Sequence, residues 1–141
     1  MKVIKPKKSL GQNFLTDKNI LNIISNAINI SENDTVLEVG PGTGNLTEKI
    51  ISKKPKKLFV VEKDNYLAMK LKERFKDSII IINDDILKVE EKKISNEPMI
   101  VFGNLPYNIS TEIFIKWIRY KNLNKIFKKF VLMFQKEVAD R

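Results

Sequence analysis

The chain has 141 residues, 43% hydrophobic and 30% charged, a size and balance that fit one soluble globular domain burying roughly two thirds of the surface its unfolded form exposes. With no Cys and no His, it cannot build disulfides, thiolate nucleophiles, Ser-His-Asp relays or the His/Cys zinc centres of hydrolases and nucleobase deaminases. A formal charge of +9 favours polyanions, nucleic acid above all, and the longest aliphatic run, Ile79 to Ile82, is far short of the ~20 apolar residues of a membrane span.

The first eight residues form a basic arm with Lys2, Lys5, Lys7 and Lys8; no signal-peptide core follows, so a cytoplasmic location is expected. Next come "SLGQNFL" and apolar positions Ile20, Ile23, Ile24, Ala27 and Ile28, whose spacing predicts one face of an amphipathic helix. "TVLEVG" (35–40) predicts a strand ending in glycine, "PGTG" a tight turn, and "NLTEKIISKK" a helix closed by Pro55. The pattern repeats: "LFVVE" (58–62) predicts a strand, and Asp64 caps a helix with Leu67, Ala68, Leu71 and Phe75 on one stripe. "IIIIN" (79–83) is a third strand, followed by "DDILKVEEKKISNEP", too polar for a long helix. "MIVFGN" (99–104) is a fourth, leading through "LPYN" to Ser110 as N-cap of a helix with Ile113, Phe114, Trp117 and Ile118 inward. "FVLMFQ" (130–135) is a fifth. Apolar strands alternating with helices predict a mainly parallel sheet covered on both faces.

"EVGPGTG" places Gly40, Gly42 and Gly44 where a strand turns into a helix, a site where backbone approaches a ligand and a side chain would obstruct it. The third glycine comes one residue too early for the dinucleotide fingerprint, which disfavours a pyrophosphate ligand. Glu62 ends the second strand, where doubly wound folds place a carboxylate that accepts from both ribose hydroxyls of a nucleoside; its bland alternative is an exposed carboxylate paired with Lys63. Asp85, after the third strand, either accepts from an adenine amino group or caps the next segment. A nucleoside without a phosphate cradle suggests S-adenosylmethionine, whose sulfonium needs positioning more than acid or base help, in keeping with the missing His and Cys.

Asn104 lies at the carboxyl end of the fourth strand. Pro106 removes a donor and keeps Leu105 out of helical geometry, so the Leu105 carbonyl, more than its side chain, is expected to serve the pocket, and Tyr107 offers a flat face. Two acceptors and an aromatic plate suit the exocyclic amino group of a flipped base. The alternative is a turn with Asn as cap and Tyr at a core edge.

Together and in order, "KKSLGQNFL", "LEVGPGTGNLT", "VVEKD", "NDDIL", "GNLPYNIST" and "FQKEVADR" resemble the bacterial small-subunit ribosomal RNA adenine dimethyltransferases. The resemblance implies a Rossmann-like methyltransferase fold that uses S-adenosylmethionine to dimethylate N6 of two adjacent adenines near the 3′ end of 16S rRNA. It implies that Asn13 and Leu15 close over the methionine end of the cofactor and that Gly40 and Gly42 line it. Glu62 would hold the ribose and Asp85 the adenine, with Asn104 shared by cofactor and target base; Leu105, Pro106 and Tyr107 complete the catalytic motif. Residues 1–30 would form the basic arm and lid helix, and 31–141 the cofactor-binding domain, monomeric and without metal. Family members continue into further strands and a helical C-terminal domain, so the chain reads as a C-terminally shortened form with one sheet edge unpaired. A non-catalytic RNA or pre-ribosome binding module is the alternative function. DNA or protein-amide methylation is a more distant one, since neither class supplies "LGQNFL".

Between Lys116 and Lys129 lie six cations (Lys116, Arg119, Lys121, Lys125, Lys128, Lys129) and no acid. They predict either a phosphate-gripping patch or a solvated helix face with Trp117 in the core.

Overall fold

The computed structural model describes residues 17–105 and 107–133. The basic arm, Asn13, Leu15 and Pro106 lie outside the described residues, as does the end of the predicted fifth strand. In chain order the elements are α1 (Lys18–Ser25), β1 (Thr35–Val39), α2 (Asn45–Ser52), β2 (Lys57–Val61), α3 (Asn65–Phe75), β3 (Ile80–Ile82), β4 (Met99–Asn104), α4 (Ser110–Ile118), α5 (Leu123–Ile126) and β5 (Phe127–Met133). The strands form one sheet in the order β3-β2-β1-β4-β5, every neighbouring pair parallel. The α/β fold expected from the sequence is the one observed.

Strand periodicity divides the core in two. Val36, Leu58, Val60, Ile100 and Phe102 point to one face, where they pack with Leu21 and Ile24 of α1, Leu46 and Ile50 of α2 and Leu71 of α3. Leu37, Val39, Phe59, Val61, Met99 and Val101 point to the other, against Ile113 and Trp117 of α4 and Ile86 and Val89 of the β3–β4 connection. Each such side chain contributes about 1.5–3 kcal/mol when fully buried. As read from the sequence, the β3–β4 connection holds no long helix, only a single 3₁₀ turn at Glu91–Lys93.

Helix phase and strand ends depart from the sequence reading in four places. Ile20 and Ile23 are exposed, whereas Leu21, Ile24 and Ser25 are buried; α1 ends at Ser25, so Ala27 and Ile28 are not on it. The cap is Asp17, whose carboxylate accepts from the Asn19 and Ile20 amides at 2.8 and 3.2 Å and sets where this two-turn helix starts. In α4, Ile109 is the N-cap and Ser110 the first helical residue, its hydroxyl donating to the Tyr107 carbonyl at 3.3 Å. Ile113 and Trp117 are fully buried there, while Phe114 and Ile118 stay exposed because a helix resting on one sheet face buries a stripe narrower than its apolar residues cover. Finally, β5 starts at Phe127: Lys128 is skipped in the pairing with β4, and its ammonium reaches Asp34 at 3.0 Å. The Asp64 cap of α3 and its buried Leu67, Ala68 and Leu71 are as expected.

Among the described residues no helix is long and apolar enough to cross a membrane, and no three His, Cys, Asp or Glu side chains are grouped to hold a metal ion.

The phase of α1 is directly testable. Leu21→Ala should cost about 2–5 kcal/mol in chemical denaturation, and Ile23→Ala, at a position 70% exposed, should stay within about 0.5 kcal/mol of the parent.

Candidate functional site

Because both faces of the sheet are covered, polar groups collect at the carboxyl ends of the strands. β1 ends in the glycine turn, with Gly40, Gly42 and Gly44 at φ 69, 58 and 94°, conformations open to glycine and strained for other residues. The Gly40 amide donates to the Val61 carbonyl at 3.2 Å, which ties the turn to the end of β2. Gly44 has a role different from the one expected. A Cβ there would sit 2.7 Å from the Phe75 ring and 3.0 Å from Leu71, so this glycine admits α3 rather than a ligand. Arg74 reinforces the contact by donating to the Thr43 carbonyl at 3.0 Å and pairing with Glu48 at 2.7 Å.

Glu62 follows β2 and is buried. Its carboxylate accepts from the Asp64 amide at 3.2 Å. Burial pushes its pKa up to about 7, opposed by backbone N–H groups of Asp64, Gly42 and Lys63; acid and glycine turn therefore meet. The alternative pairing with Lys63 does not occur: Lys63 turns to Asp85, at 3.5 Å. Asp85 also accepts from the Leu87 amide at 3.0 Å, so it orders its own turn while facing Lys63. Asn83, which the sequence reading left unassigned, donates to the Glu62 and Lys63 carbonyls at 2.9 and 3.4 Å and joins the ends of β2 and β3. An amide at the last position of a strand was its only sequence signal.

Glu38 was also missed. Period-two alternation points it toward α2, where the Thr47 hydroxyl donates to it at 2.5 Å. It is 1% exposed, and burial, with the nearby Glu62 charge as a smaller influence, raises its pKa to about 8 against the Thr47 hydrogen bond.

On the other side of β1 stands β4. Gly103 is in register with Val39, so Asn104 and Gly40 are the next residues of two adjacent strands. The Leu105 side chain is 3% exposed, packs into the core and lies where a Gly103 Cβ would be, at 2.8 Å. Its packing thus anchors the loop that carries its carbonyl. Tyr107 is 40% exposed and offers an open ring. Asp85, Glu62, the glycine turn and Asn104 consequently stand at or just beyond the carboxyl ends of four consecutive strands, β3-β2-β1-β4, along one rim.

The cationic patch expected over Lys116 to Lys129 is only partly available. Lys116 is turned inward onto Glu91 and Lys128 onto Asp34. Trp117 is buried against Phe127 and Phe130, with ring centroids at 5.8 and 5.5 Å.

The family model described as "Ribosomal RNA adenine dimethylase" matches residues 3–141. Among curated relatives, the chain is 62% identical over 138 residues to ribosomal RNA small subunit methyltransferase A of Pelagibacter ubique (strain HTCC1062), covering 98% of this chain and 52% of that protein. It is 43% identical over 142 residues to the protein of the same name from Wolbachia sp. subsp. Brugia malayi (strain TRS), covering 99% and 53%. The chain thus spans about half the length of these relatives. Among solved structures it is similar to a dimethyladenosine transferase from Plasmodium falciparum, with TM-score 0.77, 32% identity and coverage of 92% of this chain and 46% of that one. It is likewise similar to the 23S rRNA methyltransferase ErmE, with TM-score 0.74, 27% identity and coverage of 90% and 50%.

The buried acids make stability depend on pH. Glu38 and Glu62 have folded pKa values of about 8 and 7, above the ordinary 4.5, so their contribution is fully present below pH 4.5 and lost as pH rises through 7 and 8. Denaturation midpoints across this range should fall with pH, and Glu38→Gln, which keeps an acceptor for Thr47, should flatten the decline.

Proposed function

The chain belongs to the ribosomal RNA adenine dimethylase family, and from that premise we propose that it holds the cofactor and target-base sites of an S-adenosylmethionine-dependent enzyme that dimethylates N6 of two adjacent adenines near the 3′ end of 16S rRNA. The observation that carries the reading is the rim itself: acid, acid, glycine turn and amide stand at or just beyond the carboxyl ends of four neighbouring strands in the order a nucleoside-bearing methyl donor and a target amine require. In this reading residues 1–30 are the arm and lid and 31–141 the cofactor-binding domain, acting as a cytoplasmic monomer on the small ribosomal subunit or its precursor.

The residues fit the cofactor. Among the described residues Glu62 has no ion-pair partner and accepts from backbone N–H groups, which suits a carboxylate that must also receive two ribose hydroxyls. Gly40 and Gly42, half-buried at the turn, leave room for the donor's backbone, and Asp85 would accept from its adenine amino group. Asn13 and Leu15 would close over the methionine end. When bound, S-adenosylmethionine supplies a methyl group on a sulfonium, a leaving group that needs no acid.

The protein's own task is to present the nucleophile. Asn104 and the Leu105 carbonyl would each accept one N–H of the adenine amino group, turning the nitrogen lone pair out of conjugation and toward the methyl carbon. The same two oxygens would stabilise the positive charge that grows on nitrogen. Tyr107 would stack on the extruded base, with Pro106 holding the turn.

Asn104→Ala should abolish methylation of small subunits lacking the modification while leaving most S-adenosylmethionine binding by calorimetry; a near-normal rate would sink the mechanism. With the unaltered chain, incorporation of labelled methyl supports catalysis, whereas RNA binding without incorporation favours the non-catalytic module. Ribose hydroxyls donate to Glu62, so binding favours its ionised form and releases a proton. Affinity should therefore rise with pH up to about 7 and level off above it.

A further inference from the structure

The connection from β3 to β4 crosses a sheet face without a regular helix, so its carbonyls need donors from another element. Lys116 of α4 supplies them. Its ammonium donates to the carbonyls of Ile86, at 2.6 Å, and Val89, and to both carboxylate oxygens of Glu91, the more distant at 3.1 Å. Glu91 is fully buried, and the Tyr120 hydroxyl donates to it at 3.3 Å. One side chain of α4 thus clasps three residues of the crossing segment, beginning with the immediate neighbour of Asp85. At its other end α4 holds the Tyr107 carbonyl through the Ser110 hydroxyl. The two attachment points are six residues apart, about 9 Å along a rigid helix.

We propose that Lys116, with Glu91 and Tyr120, is a positioning residue: it makes α4 a strut that holds Asp85 at a set distance from the Asn104–Tyr107 loop. The crevice would then owe its width to this clasp as well as to the sheet. A buried ion pair is a poor source of net stability compared with apolar packing, whereas it fixes registry well. Here it couples the segment next to the adenine-facing acid to the helix that follows the target-base loop. The inference rests on the reading of Asp85 as the partner of the adenine amino group.

The test compares calorimetric affinities for S-adenosylhomocysteine and S-inosylhomocysteine, which differ in the group that Asp85 would meet. The unaltered chain should prefer the adenosyl ligand by about tenfold or more, since a carbonyl in place of the amino group leaves Asp85 without a donor. In Lys116→Met this preference should shrink at least about threefold, because Asp85 is no longer held in place. A merely structural role would weaken both ligands together and leave their ratio unchanged, which would overturn the proposal. Lys116→Met strands a buried charge, so the Lys116→Met/Glu91→Gln pair serves as a second variant if the first does not fold, with the same ratio as readout. If the unaltered chain binds neither ligand, the cofactor reading fails, and if it binds both equally, the reading of Asp85 fails; either outcome takes this inference with it. If it discriminates and the variants discriminate equally, this inference alone fails.

Discussion

A parallel sheet covered on both faces has no room for polar chemistry in its body. Each central strand of this protein is buried on either side, so backbone pairing and apolar packing consume the strand interiors and chemistry is left to the last residue or two. Strand order then decides which ends meet. With β1 and β4 side by side and β2 and β3 beyond β1, the glycine turn lies between the acids and Asn104, and no loop has to travel far to assemble the crevice.

Building this rim requires burying charge. Glu38 lies two residues before the glycine turn and Glu62 meets the turn at the Gly42 amide, and desolvation moves both toward neutrality near physiological pH. The two are stabilised differently. Glu38 has a hydroxyl partner on α2 and ties strand to helix beneath the turn, whereas Glu62 rests on backbone N–H groups. Arg74 and Phe75 complete the support from α3, which explains the glycine at position 44.

The opposite face solves another problem, an irregular connection that must lie flat on the sheet. Apolar anchors Ile86 and Val89 fasten it from below and the Lys116 ammonium fastens its carbonyls from the side. The basic run of which Lys116 is part therefore divides between internal structure and surface. Lys116 and Lys128 are occupied, and the cations left for a polyanion are those pointing away from the core.

The sequence alone determined the parallel α/β class, the strand spans to within a few residues, the Asp64 cap and the strand-end positions of Glu62, Asp85 and Asn104. These are local matters: a two-residue period, a capping carboxylate or a glycine before a helix is written within a handful of neighbours. Helix phase was less legible. Ile20 and Ile23 satisfy the same periodicity as Leu21 and Ile24, and only the position of α2 chooses between them. Tertiary structure alone decided the partners of Glu38, Gly44, Lys63 and Lys116. Each depends on residues 9 to 31 positions away, whose proximity follows from strand order and helix packing rather than from any spacing in the chain.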